Sequence, residues 1–170
     1  MMCVTLVLGG ARSGKSRFAE NLVLETGKRP LYIATAEAQD DEMRQKIRKH
    51  RQRRDAGWRT LEVPLDLIRG INNESGENRA ILVDCLTMWL TNLMIYERDI
   101  GTQYDALVCL LREARSDIVM VANEVGLGIV PEHRLAREFR DYAGRLNQAV
   151  AAVAGRVYFI AAGLPLKLKG

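Results

Sequence analysis

The segment Gly9-Gly10-Ala11-Arg12-Ser13-Gly14-Lys15-Ser16 constrains what this chain can fold into more than any other stretch. It has the form G-x-x-x-x-G-K-S. The glycines let the backbone curl until successive N–H groups point at phosphate oxygens, the lysine adds charge, and the serine hydroxyl can hold magnesium. The flanks agree with that reading. Val4 to Leu8 is a short apolar run suited to a buried strand, and Arg17 to Glu25 favours a helix, whose N-terminus itself attracts an anion. A plain glycine-rich turn carrying a surface lysine accounts for neither flank.

A chain of 170 residues, 48% of them hydrophobic, can build one well-cored domain and is short for two, so residues 1–170 are read as a single domain. Cys3, Cys85 and Cys109 are odd in number, widely spaced and set among apolar neighbours, which fits reduced, packed thiols rather than a disulfide frame or a zinc site. Met1 to Leu8 lacks a basic leader and runs straight into the glycine loop, so removing it as a signal peptide would destroy the loop. Asp84 and Arg156 interrupt the most apolar later stretches, and no membrane span is expected. The expectation is a cytoplasmic protein. The net charge of +4 suits an anionic ligand without specifying one.

Along the chain, strand and helix patterns alternate. Thr26-Gly27 stops the first helix, and Pro30 to Thr35 is a second buried strand. Ligands of open parallel α/β sheets gather outside the carboxyl ends of strands, so Thr35 either approaches the nucleotide or caps the turn before Glu37. Arg59 to Val63 is a third strand, Pro64 starts a short helix through Ile71, and Asn72 to Asn78 is a surface turn. Ala80-Ile81-Leu82-Val83-Asp84 is an aliphatic strand ending in an acid, the form of a Walker B element. Asp84 either holds the magnesium or caps the helix that follows.

Leu86 to Glu97 and Tyr104 to Arg115 are helical, separated by Asp99-Ile100-Gly101. Asp117 to Asn123 is a strand with a mobile-looking loop, Glu124 to Pro131, at its carboxyl end, and His133 is a loop residue. Leu135, Phe139, Tyr142, Leu146, Val150 and Val153 form the core face of a long helix. Val157 to Ala161 is the last strand, and Gly163 to Lys169 is a tail of undetermined form. The alternation predicts a three-layer α/β, P-loop NTPase-like fold with a mainly parallel central sheet.

A second chemical feature lies between Asp40 and Arg54, where acids precede bases in the order a helix dipole favours. Lys46, His50, Arg53 and Arg54 share one face of that helix. Positive neighbours disfavour imidazolium and keep a neutral, nucleophilic nitrogen on His50, while the same cations could hold a triphosphate. The residues alone leave three interpretations open: a solvated charged face, a nucleic-acid contact, or a catalytic histidine. Acids at Asp40 to Glu42 and Asp55, with no interleaved aromatics, weigh against nucleic acid.

Four segments carry a family resemblance: GGARSGKS from Gly9, KHRQRRDAGWRTLEVP from Lys49, VDCLTMWLTNL from Val83, and NEVGLGIVP through LAREFRDYAGRLNQ from Asn123 to Gln148. With them the chain resembles, over essentially its whole length, the bifunctional adenosylcobinamide kinase/adenosylcobinamide-phosphate guanylyltransferases of cobalamin biosynthesis. The resemblance implies transfer of the terminal phosphate of ATP or GTP to the hydroxyl of adenosylcobinamide. It also implies transfer of GMP from GTP, through a histidine, to adenosylcobinamide phosphate, giving adenosylcobinamide-GDP.

By motif position His50 would carry the GMP. Lys15 and Ser16 would hold phosphates and Mg2+. Arg51, Gln52, Arg53, Arg54, Glu62 and Asp84 would line the GTP site with Ala34, Thr35 and Ala36 nearby, and Asp84 would share the metal with Ser16. The resemblance further implies a homo-oligomer, a trimer. The family segment usually carries a proline where this chain has Asp55 or Ala56, and no N-K-x-D guanine-reading motif follows Asn123. A kinase of another small molecule and a non-catalytic, nucleotide-dependent nucleic-acid-binding module are the alternatives.

Overall fold

The computed structural model describes residues 3–37 and 57–170. The basic helix expected from Asp40 to Arg54, with His50, Arg51, Gln52, Arg53 and Arg54, lies outside the described residues. The elements run β1 (Val4–Gly9), α1 (Lys15–Leu24), β2 (Arg29–Ala34), β3 (Arg59–Glu62), α2 (Leu67–Glu74), β4 (Arg79–Asp84), α3 (Leu86–Ile95), α4 (Ile100–Arg112), β5 (Asp117–Asn123), α5 (Arg134–Val153), β6 (Arg156–Ala161) and β7 (Leu164–Lys169).

The strands form one sheet of order β3-β2-β4-β5-β1-β6-β7, parallel throughout except for the β6–β7 pair. Because side chains alternate along a strand, each strand serves both faces. Leu6, Leu8, Leu31, Ile33, Ile81, Val83, Ile118 and Met120 point into a core shared with α2, α3, α4 and α5. Val7, Tyr32, Leu82, Val119 and Val121 point the other way, against Ala19, Leu22 and Val23 of α1. Burial on both faces is why these strands read as continuous aliphatic runs. The result is the expected three-layer α/β arrangement.

The structure departs from the sequence expectations at several places. The helix expected from Pro64 starts only at Leu67. The Pro64 carbonyl accepts from Asn92 Nδ2 (2.9 Å), and the Leu65 carbonyl accepts from Trp89 Nε1 (2.8 Å) and from Leu67 N (2.9 Å), so both are committed elsewhere. The same helix continues to Glu74, where Arg59 and Arg79 meet its carboxylate, and the surface turn begins only after it. Of the expected separator Asp99-Ile100-Gly101, only Asp99 lies between the helices, while Ile100 and Gly101 open α4. Asp99 is the N-cap of α4 and accepts from Thr102 N at 3.2 Å.

The long-helix face is core except at its start: Leu146 and Val150 are buried and Phe139, Tyr142 and Val153 pack half-buried against them, whereas Leu135 is 67% exposed. The thiol expectation also divides, since Cys85 is buried, Cys3 half-buried and Cys109 exposed. The tail is a strand. Ala162 (φ 51°) and Gly163 (φ 80°) make a two-residue turn that sends β7 back along β6. Ala162 hid that turn, because a Cβ disfavours positive φ and Ala-Gly is not a usual hairpin signal.

Candidate active site

Parallel strands place their carboxyl ends along one edge of the sheet. Gly9 of β1 lies in register with Asn123 of β5, and Ala34 of β2 with Asp84 of β4. Among the described residues, these ends lie along one rim of the sheet.

The loop from Gly9 to Ser16 is shaped by contacts that tolerate little substitution. A Cβ on Gly9 would sit 2.6 Å from the Ile160 carbonyl oxygen and 2.6 Å from Ser13 Oγ. Gly14 has φ 97°, and a Cβ there would lie 3.2 Å from Gly163 Cα. The β6–β7 turn therefore buttresses the loop, and Gly163 N donates to the Ser13 carbonyl at 2.8 Å. Gly14 is the N-cap of α1, with no side-chain cap and no acid in the first turn, so the helix's own N–H groups remain directed at the loop.

Lys15 is buried, and its Nζ donates to the Gly10 carbonyl at 2.8 Å, folding the side chain over the loop. Burial lowers its pKa, opposed by the nearby Asp84 carboxylate. Ser13 Oγ is buried with no hydrogen-bond partner in the protein. An orphaned hydroxyl inside a tight, glycine-lined cradle beside a buried ammonium fits a phosphate group. Ser16, half-buried on the first turn of α1, is placed to add a metal-binding hydroxyl.

Asp84 ends β4, one strand beyond β5, and is half-buried. Its Oδ2 accepts from Tyr32 Oη at 3.0 Å, and the Tyr32 ring meets Trp58 edge-on with centroids 6.3 Å apart. Next to it the Cys85 thiol is pushed up to about 11, by burial first and the Asp84 charge second, so it stays protonated at neutral pH. Among the described residues no group of three His, Cys, Asp or Glu could cage a metal. A hydroxyl and one carboxylate suffice for a magnesium ion that is otherwise held by phosphate oxygens and water.

Thr35 does sit at the carboxyl end of β2, but its hydroxyl turns inward. It donates to the Cys85 carbonyl (2.7 Å) and accepts from Cys85 N (2.9 Å), while its own carbonyl takes Asn92 Nδ2 at 2.8 Å. The side chain thus ties β2 to the β4–α3 junction; its neighbours Ala34 and Ala36 are half-buried on the same rim. Glu62 stands in register with Ala34 at the end of β3, and is exposed. It is four strands from β1, roughly 19 Å at the usual strand spacing of about 4.8 Å, so the sheet does not bring it to the phosphate loop. His133 is the exposed N-cap residue of α5.

Sequence reasoning missed Tyr32, Thr87 and Gly163. Thr87 Oγ1 accepts from Asn123 N (2.7 Å), Asn147 Nδ2 donates to the Asn123 carbonyl (3.3 Å), and Glu124 N donates to the Gly9 carbonyl (3.1 Å), which together fix the end of β5 beside the loop. The available signal was polar side chains embedded in apolar runs, which a buried site must satisfy.

This sheet, with a glycine-lined phosphate loop after its first strand and an acid at the end of β4, defines a nucleotide-binding protein of the P-loop NTPase-like class. A flagellar accessory protein FlaH from Methanocaldococcus jannaschii shares the fold, with a TM-score of 0.56 at 14% identity over 98% of this chain and 78% of that one.

Residues 5–168 match the family described as cobinamide kinase / cobinamide phosphate guanyltransferase. The bifunctional adenosylcobalamin biosynthesis protein CobP of Pseudomonas aeruginosa is 50% identical over 97% of this chain and 96% of its own length. The protein CobU of the same description from Escherichia coli is 41% identical over 96% of this chain and 98% of its own. The chain belongs to this family, and is an enzyme of the kinase and nucleotidyltransferase kind acting in cobalamin biosynthesis.

Proposed function

We propose that the enzyme phosphorylates adenosylcobinamide with ATP or GTP and then guanylylates the product with GTP. In the first step the substrate hydroxyl oxygen attacks the γ-phosphorus. A new P–O bond forms, the bond to the β-phosphate oxygen breaks, and the nucleoside diphosphate leaves while the hydroxyl proton passes to solvent. Lys15 neutralises charge on the transferring phosphoryl group, and the N–H groups of the Gly9 to Ser16 loop hold its oxygens in line. Ser16 and Asp84 would hold a magnesium ion, which when bound supplies further positive charge at those oxygens.

In the second step a neutral His50 nitrogen attacks the α-phosphorus of GTP. A P–N bond forms and the α–β bridge breaks, releasing pyrophosphate. A phosphate oxygen of adenosylcobinamide phosphate then attacks the same phosphorus, the P–N bond breaks, and adenosylcobinamide-GDP forms with His50 regenerated. Arg51, Gln52, Arg53, Arg54 and Glu62 are assigned to the GTP site in this reading, with Ala34, Thr35 and Ala36 beside them. A trimeric, cytoplasmic enzyme completes it; no helix among the described residues is long and apolar enough to cross a membrane.

The observation that carries the reading is the buried Lys15 folded over an intact phosphate cradle in a chain of this family. Turnover of adenosylcobinamide with GTP, following both phosphate transfer and pyrophosphate release, tests it. GTP labelled at the α-phosphate should leave an acid-labile label on the protein. Undiminished labelling of His50→Ala would sink the histidine assignment.

A further inference from the structure

The loop joining β5 to α5 leaves the site edge with its apolar side chains turned outward. Leu127 is 81% exposed, Ile129 96%, Val130 59%, and Leu135 on the first turn of α5 67%. Soluble proteins rarely gather aliphatic side chains this way without something to cover them. The loop is also held. At its start Glu124 N donates to the Gly9 carbonyl at 3.1 Å, and the Glu124 carboxylate accepts from Gly126 N at 2.7 Å. At its end the Arg137 guanidinium donates to the carbonyls of Pro131 and Glu132. Held at both ends, the loop carries these apolar side chains on the connection that leaves β5 next to the phosphate loop.

We propose that this loop is the platform on which the corrinoid ring of the acceptor rests. The inference builds on the functional reading above and names the acceptor subsite within it. A cobinamide is a broad macrocycle edged with methyl groups and carboxamide arms, and the hydroxyl to be phosphorylated sits at the end of one flexible arm. Its ring therefore has to be held to one side of the phosphate loop, with only the arm reaching Lys15. The end of β5 is next to that loop, since Asn123 is in register with Gly9. Aliphatic side chains suit the methyl-bearing ring face. The charged pair Arg134–Glu138 (2.6 Å), close by on α5, offers donors and acceptors to the carboxamides.

The test is steady-state kinase kinetics of the full chain carrying Leu127→Ser and Ile129→Ser, with Leu24→Ser, an exposed leucine at the far end of α1, as control. The expected result is a KM for adenosylcobinamide raised about ten-fold or more, since two aliphatic contacts are lost. The dissociation constant for GTP, kcat within about two-fold and the sedimentation mass should stay unchanged, and Leu24→Ser should change none of these nor the KM. An unaltered KM for adenosylcobinamide overturns the proposal. A drop in sedimentation mass with the substitutions also overturns it, because the patch then packs against a second copy of the chain. Failure of the wild type to phosphorylate adenosylcobinamide at all overturns the functional reading, and this inference with it.

Discussion

Lys15 and Gly9 show how narrowly single residues are constrained at the phosphate loop. Lys15→Ala removes the ammonium that folds over the cradle, and kcat/KM of the kinase reaction should fall by about 100-fold or more, measured at saturating acceptor. Gly9→Ala pushes a methyl group against the Ile160 carbonyl, backbone that cannot move without shifting β6. It should lower both the melting temperature and GTP affinity, seen in thermal melts with and without nucleotide. Both residues were legible in the sequence, since the loop pattern assigns their roles. Tyr32 was not: its hydroxyl reaches Asp84 only because β2 and β4 pair with Ala34 opposite Asp84. Tyr32→Phe should weaken metal binding while leaving the fold intact; an unchanged Mn2+ affinity by spin-probe titration would remove Tyr32 from that role.

Elements were legible wherever one period ran uninterrupted. β1, β4 and β5 lie within a residue or two of their sequence-predicted bounds, because strands buried on both faces need long aliphatic runs. Boundaries failed where a distant element decided them. Trp89 and Asn92 of α3 take the carbonyls of Leu65 and Pro64, and so delay α2. The β6–β7 hairpin is the largest such case, since nothing local announces a turn at Ala162-Gly163. Gly163→Val should strain the turn at φ 80° by about 1 kcal/mol and disturb the N–H bond to Ser13, so that stability and nucleotide affinity fall together. A melt that shifts equally with and without GTP would show the turn to be uncoupled from the loop.

For the whole molecule, Asp117 joins three parts of the fold. Its carboxylate accepts from Cys3 N at 2.8 Å ahead of β1 and meets Lys28 Nζ at 2.7 Å after α1. Burial alone would raise its pKa, but the Lys28 and Cys3 hydrogen bonds outweigh burial and hold the carboxyl below its usual value. A carboxyl with a depressed folded pKa stabilises above its unfolded value, and that contribution disappears as pH falls through the folded value. The melting-temperature gap between wild type and Asp117→Asn should therefore be widest near neutral pH and close in acid. In the main core, Trp89 is fully buried with its indole N–H bonded, and Trp89→Ala should cost about 3–5 kcal/mol by denaturant unfolding.

The chain's own order of residues determined the phosphate loop, the alternation of strands and helices, and the acid at the end of β4, because each depends on neighbours a few positions apart. Only the tertiary structure decided that the β6–β7 turn braces the loop, that Thr35 turns away from the rim, that Tyr32 orients Asp84, and that the loop carrying the exposed Leu127 and Ile129 starts with Glu124 bonded to Gly9. Each of those outcomes joins residues far apart in sequence. Strand order and register set them, and local preference carries no record of either.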